Sequence, residues 1–328
     1  MKLTALFITP VLLASLAAST TFAIAATLTA RSHDDDEESE IERKVAAEPN
    51  VVVVLTLASG AVVVRGWDQR EVRARSGNAV QLELQYTDAP NAPTKPVKRV
   101  EVLASDEEAE DSEPGEGSGE ANIELDVPRG ATVVLKVQSG DLDVSDVAEA
   151  RIETQSGEVD VRRIAKALEV TSLSGDIFLK DVSGRIRLRS ISGRIEAVNA
   201  RTVEDSDYFT ANATSGSIRL DRIAHSRIEA STVSGDVDVT GALARSGVYD
   251  FKTHSGDVTL ELPADSSFKL SARVVSGGEI ITEFPVKHAG GPVPHKELSD
   301  GRLTGSVGSG EAEVNLSSFS GTLYLRKK

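Results

Sequence analysis

Through the middle of the chain apolar and polar residues alternate with period two, and the alternation breaks at a recurring dipeptide, Ser-Gly. Ile152, Thr154 and Ser156 alternate ahead of one such break, with Val159 and Val161 behind it. Leu168, Val170, Ser172 and Ser174 lead to the next, followed by Ile177 and Leu179. Period two on both sides of a glycine predicts strand, turn, strand. The dipeptide recurs as Ser139-Gly140, Ser156-Gly157, Ser174-Gly175, Ser192-Gly193, Ser215-Gly216, Ser234-Gly235, Ser255-Gly256 and Ser276-Gly277, in steps of 17, 18, 18, 23, 19, 21 and 21 residues.

No segment keeps apolar residues at three and four spacing long enough for a helix. The most helix-like run, "RRIAKALEV", falls where a second corner is needed, and "DVSGRIRL" at 181–188 marks that corner in another repeat. Each repeat is therefore a coil of two strands and two corners. A lone coil has too few interior aliphatics to offset the entropy of ordering its backbone, so coils must stack. Stacked in parallel register about 4.8 Å apart, they make a solenoid. The expected fold is all-β, a parallel β-solenoid (β-helix-like) with about eight repeats of 17–23 residues, capped by extra strands at both ends. Cap strands are expected at 51–57, 61–67, 80–86 and 97–103, and the C-terminal closure in "GEAEVNLSSFSGTLYLRKK", where Lys327 and Lys328 blunt an exposed edge.

The corner dipeptide has a physical reading. Glycine takes a positive φ without a Cβ clash. Continued alternation turns the preceding serine inward, where the corner narrows and its hydroxyl can bond the next coil's backbone. The acid after glycine, as in Asp141, Glu158, Asp176, Asp236 and Asp257, then points outward and stays hydrated. Arg194 and Ser217 occupy the same column.

The segments "NIELDVPRGATVVLKVQSGDLDV", "LELPADSSFKLSARVVSGGEI", "VVVRGWDQREVRARS" and "SFSGTLYLRK" resemble the bacterial putative-adhesin family of envelope proteins with SGD-type β-strand repeats, a domain of unknown function. The resemblance spans roughly residues 50–328 and rests on the Pro-Gly step ahead of the repeats, the Gly66-Trp67-Asp68 segment and the closing strand in that order. It implies a β-solenoid in the cell envelope, and some members resemble components of envelope-stress systems. It supplies no catalytic residues. The two acidic tracts and "FPVKHAGGPVPHKELSDG" depart from the family pattern.

Charge changes the picture only once it is located. Of a net −15, residues 32–48 and 105–120 contribute all but about one unit, with eight acids in each. Both tracts are poor in apolar residues, so the first reads as a disordered leader and the second as a solvated loop. Nothing basic or acidic in the remainder suits nucleic acid. Met1-Lys2, the run "LFITPVLLASLAA" and Ala23-Ile24-Ala25 form the pattern of a cleaved secretory signal. The absence of cysteine leaves neither a disulfide framework nor a lipid-anchored cysteine. The expected organisation is a signal peptide at 1–25, an acidic disordered leader at 26–49 and a β-solenoid at 50–328, interrupted by an acidic loop at 105–120 and a Gly/Pro-rich loop at 285–301. An exported protein of the periplasm or cell surface follows, with no transmembrane segment once the signal is removed.

Candidate chemistry is sparse. The five histidines, His33, His225, His254, His288 and His295, do not fall at metal-ligand spacing on one element. "GSVGSG" at 305–310 has its serines out of place for a nucleophile elbow. No catalytic, cofactor or metal site is expected. The densest basic feature is "KDVSGRIRLRSISGRI": with Ile186 and Leu188 inward, Arg185, Arg187 and Arg189 face out, with Lys180, Arg194 and an outward Phe178 nearby. Arg162 one coil earlier and Arg201 one coil later would extend the patch, and Glu153, Glu169 and Glu196 could neutralise it. Guanidinium groups suit phosphate and carboxylate. The expected function is surface contact with an anionic envelope polymer or another envelope protein. The alternatives are a regulatory partner in envelope-stress sensing and a glycan-active β-helix enzyme.

Overall fold

The computed structural model describes residues 41–77, 80–86, 95–106, 122–288, 291–293 and 301–328. The expected signal segment, the start of the leader and nearly all of the acidic loop lie outside the described residues. Every regular element described is a strand. Strands of eight residues, such as Glu149–Ser156, Ala167–Ser174 and Arg185–Ser192, alternate with strands of four, such as Val159–Arg162 and Ile177–Lys180. Long strands pair with long and short with short, parallel and in register, so Ser156, Ser174 and Ser192 lie side by side, as do Val159, Ile177 and Ile195. The solenoid thus has a long-strand wall and a short-strand wall. Ile152, Val170 and Leu188 from the first meet Val161, Ile177 and Leu179 from the second in one continuous core.

The Ser-Gly corner forms as expected, with two corrections. Ser139, Ser174, Ser192, Ser215, Ser234 and Ser255 are exposed and Ser156 is half-buried, so the corner serines do not point inward. The chain begins to turn at that residue, and the alternation stops one position early. The inward column lies two residues before, at Thr154, Ser172, Ser190, Thr232, Thr253 and Ser318, with Ala213 among them. The narrowing argument holds for these members, all of them small, whereas Leu57 and Val137 fill the same column in the first coils. Thr232, Thr253 and Ser318 donate their hydroxyls to the carbonyls of Gly216, Gly235 and Gly256 one coil away, at 3.0, 2.9 and 3.1 Å.

The second concerns the acids, which point outward as expected but are not left to water alone. Their carboxylates are bound to the scaffold: Asp141, Asp176, Asp236 and Asp257 accept the backbone N–H of Glu158, Arg194, Asp257 and Thr322 in the adjacent coil, at 2.6–2.9 Å. Aspartate has the reach to close this bond. The glycine between takes φ from +113° at Gly157 to +152° at Gly321, and a Cβ on Gly175 would stand 2.0 Å from the Gly157 carbonyl oxygen.

The ends of the solenoid differ from the expected order. Residues 41–49, assigned above to the leader, form the first part of strand Ile41–Ser59, and residues 41–46 pair antiparallel with Glu71–Gly77. The rest of that strand lies between Val97–Asp106 and Thr132–Ser139. At the other end, Ala312–Ser320 and Leu323–Lys327 insert between the coil at 248–262 and the one at 268–282. The strand that ends in Lys327 therefore lies between two others, with Lys327 itself opposite Leu262, and it blunts no edge. The insertion also displaces the last expected corner. Gly278, not Gly277, stacks on Gly321, while Ser276-Gly277 forms an exposed bend outside the ladder. Antiparallel strands cover the ends, Val80–Tyr86 on Val97–Asp106 and Arg302–Val307 on Phe268–Val274. Part of the expected Gly/Pro-rich loop is itself strand, with Val286–His288 paired to Gly291–Val293.

Candidate functional site

Arg185, Arg187 and Arg189 project from one long strand, Arg185–Ser192, on the outer surface of the long-strand wall. Register places Arg187 between Glu169 and Thr210, and Arg189 between Thr171 and Asn212. Arg187 approaches Glu169 at 4.0 Å, donates to the Tyr208 hydroxyl at 2.9 Å, and holds its guanidinium 5.6 Å from the Tyr208 ring centroid. Glu169 in turn lies 3.8 Å from Arg151, Arg151 3.2 Å from Glu153, and Glu153 3.8 Å from Lys136. A band of alternating charge crosses the wall. Arg185 and Arg189 stand outside it, with no carboxylate of the described residues at ion-pair distance. A groove of about 280 Å³ opens beside Arg185, lined also by Thr132, Glu149, Arg151, Glu169, Arg187 and Tyr208.

The remaining residues of the expected patch are elsewhere. Phe178 and Lys180 belong to Ile177–Lys180 on the short-strand wall, where Lys180 is in register with Arg162 and Phe178 lies between Asp160 and Glu196. Each Ser-Gly corner reverses the chain, so segments before and after it face opposite ways. Arg162 is ion-paired with Asp160 and lies 3.6 Å from Asp143. Arg194 sits on the corner edge, and Arg201 at the opposite edge, where its backbone bonds Val182. Of the expected neutralising acids, Glu153 and Glu169 share the arginine wall and Glu196 does not. Tyr208 was not singled out in the sequence. Its only signal was the long step of 23 residues between Ser192 and Ser215, which provides the insertion that carries it.

The second edge carries chemistry that the sequence pattern hides. Asp146, Arg163, Asp181, Asn199 and Arg222 each turn the chain at φ of +53° to +61°. Their side chains form a ladder: Arg163 donates to Asp146 at 3.0 Å, Asn199 to Asp181 at 3.1 Å, and Arg222 to Asn199 at 2.6 Å. Arg129 bridges Asp68 and Asp146, at 2.9 Å to each. The hydrogen bond from Arg163 first, and then that from Arg129, hold the Asp146 carboxyl below its ordinary pKa despite partial desolvation. The arginines are consumed in structure here.

Beneath this edge His225 is fully buried, edge-on to Phe209 at 5.9 Å. Its Nε2 is 2.8 Å from the Gly184 carbonyl, which can only accept, so Nε2 carries the proton and Nδ1 is left without a partner. Burial pushes its pKa down, opposed in part by the Gly184 bond and by Asp207. Among the described residues no group of three or more His, Cys, Asp or Glu could hold a metal ion. No helix among them is long and apolar enough to cross a membrane, which says nothing of membrane β-barrels.

Fold and surface together define a class: an all-β repeat protein whose polar groups are spread along two walls and two edges. The family model described as Toastrack DUF4097 matches residues 115–246 and again 212–326, and the chain belongs to that family. Two overlapping placements of one model are what a stack of similar coils produces. No curated protein matches the chain. Three solved structures are similar. One described as a "putative adhesin" from Bacteroides fragilis is 11% identical, with TM-score 0.36 over 88% of this chain and 97% of that one. Another "putative adhesin", from Parabacteroides distasonis, is 10% identical with TM-score 0.26, over 88% and 98%. A "putative cell adhesion protein" from Clostridium sporogenes is 10% identical with TM-score 0.23, over 88% and 100%. At such scores the superpositions carry no weight for this chain.

Proposed function

We propose that the chain is an exported envelope protein that acts by surface contact and without catalysis, holding an anionic envelope polymer against the arginines of its long-strand wall. One observation carries the reading. Arg185 and Arg189 are presented without acidic partners on either side of Arg187, which Glu169 and Tyr208 hold in place beside the groove. Parallel in-register strands give these side chains a rigid base, so little ordering is required when phosphate or carboxylate groups bind. The test is retention on purified lipopolysaccharide and on peptidoglycan at low and moderate salt. The protein is expected to bind, to lose affinity as salt screens the charges, and to lose at least tenfold on combined Arg185→Ser, Arg187→Ser and Arg189→Ser. Retention unchanged by the triple substitution would overturn the site, and turnover of the polymer would overturn the non-enzymatic reading.

A further inference from the structure

The residue before each corner serine forms a column of its own along the Ser-Gly edge. In the C-terminal two-thirds of the solenoid this column is largely apolar and open to solvent: Leu173 is 48% exposed, Ile191 and Val233 52%, Phe319 45% and Val275 53%. Thr214 and His254 complete it, with the His254 ring stacked on Phe319 at 4.6 Å and 10°. At about 4.8 Å per coil these seven positions make a straight ridge roughly 30 Å long. The glycine ladder behind it cannot shift, because each glycine is in backbone contact with the next. Exposed aliphatics scattered singly need no explanation, but several of them aligned along one edge mark a contact surface.

We propose that this ridge joins two copies of the chain side by side, with their solenoid axes parallel and a two-fold axis running along the ridge. The charges beside it select this partner. On the long-strand flank the outermost charged residues are Arg189, Lys252 and Arg273, and no acid interrupts them in that column. On the opposite flank, the position after each glycine holds Asp176, Asp236, Asp257 and Glu279, with Arg194 the one cation. The three aspartates use one oxygen to accept a backbone N–H and keep the other free. Lys252 also contacts Asp250 on its own strand.

A two-fold parallel to the solenoid axis sets the basic flank of each copy against the acidic flank of the other. Such an interface is isologous, the same patch meeting itself. It also sets each coil against its own counterpart, so Ile191 meets Ile191, Val233 meets Val233, and the polar Gln138 and Gln155 each meet their own copy. An antiparallel arrangement does neither. It places like-charged flanks together.

The chain has no cysteine, so any introduced thiol is unique. The experiment is sedimentation of the exported protein across concentration, together with oxidative cross-linking of Ile191→Cys, Val233→Cys and, as a control on the long-strand wall, Thr210→Cys. The expected result is a concentration-dependent dimer in which residues 191 and 233 each link to themselves and residue 210 does not. Combined Ile191→Glu and Val233→Glu should weaken association at least tenfold with the folded spectrum retained, since both sites are exposed. Arg273→Glu and Glu279→Lys should each weaken it, and together restore it. A monomer at all concentrations overturns the ridge as a self-association face. A dimer in which 191 and 233 do not self-link, or in which the charge pair fails to rescue, overturns the parallel arrangement.

Discussion

At the Ser-Gly edge the stacked glycines turn the chain at φ between +113° and +152°, whereas at the opposite edge Asp146, Arg163, Asp181, Asn199 and Arg222 turn it at +53° to +61°. The first range is closed to L side chains, and the stacking would drive any Cβ into the neighbouring carbonyl. The second is the left-handed helical region, where a polar residue can sit at a cost of about 1–2 kcal/mol. There the ladder of Asp, Arg and Asn side chains offsets part of that cost. One edge therefore demands a particular residue and the other demands only a polar side chain with a partner.

The largest expected difference between the edges comes from adding a single methyl group. Gly175→Ala places a Cβ 2.0 Å from the Gly157 carbonyl oxygen, so the corner must deform. A loss of about 3–5 kcal/mol is expected, read from the denaturant midpoint. A loss below about 1 kcal/mol would mean that the ladder is pliable.

The second prediction concerns the core beneath the polar edge. His225 folds as the neutral ring, and its pKa is lowered by burial, so its contribution is present above the ordinary imidazole value near 6.5 and is lost as pH falls below it. Stability of the wild type should decline as pH falls below 6.5, with a slope of up to about 1.4 kcal/mol per pH unit. In His225→Gln, which can keep a donor to Gly184, that part of the slope should vanish. Parallel pH profiles for the two proteins would refute the assignment.

Smaller effects separate the members of one Ser-Gly-Asp triplet. Asp176→Ala removes the acceptor of the Arg194 N–H and should cost about 1 kcal/mol, whereas Ser174→Leu, at an exposed position, should stay within about 0.5 kcal/mol. The reverse order would restore an inward serine. Smallest of all is Asn199→Gly at the polar edge. It gives up bonds to Asp181 and Arg222 while relieving the positive φ, and a change within about 0.5 kcal/mol is expected from thermal melts.

The same contrast explains what could be read from the chain beforehand. The glycine edge repeats literally, because only one residue satisfies it, and from that repeat the coils, the two walls and the parallel stacking all follow. The polar edge does not repeat as text, since Asp, Arg, Asp, Asn and Arg answer one requirement in turn. The phase of the corner serine was misread because Leu173 and Ser174 are exposed in succession, a break in alternation that a strand pattern does not announce. Insertion of the final coil was also hidden, since a parallel strand carries the same inward and outward residues whichever neighbours it takes. At the candidate site the outward phase of Arg185, Arg187 and Arg189 was legible from alternation. Their separation from Phe178, Lys180 and Arg162 depends on the corner reversing the chain, which a linear count of neighbours ignores.

The two walls supply the most direct test of the functional account, because neighbouring coils carry cations on both. Retention on purified lipopolysaccharide at low salt should be measured for combined Arg185→Ser, Arg187→Ser and Arg189→Ser, and for combined Arg162→Ser and Lys180→Ser. A contact surface on the long-strand wall predicts at least a tenfold loss in the first variant and less than a twofold change in the second. Equal losses in both would contradict it, since binding would then follow net charge and not a site.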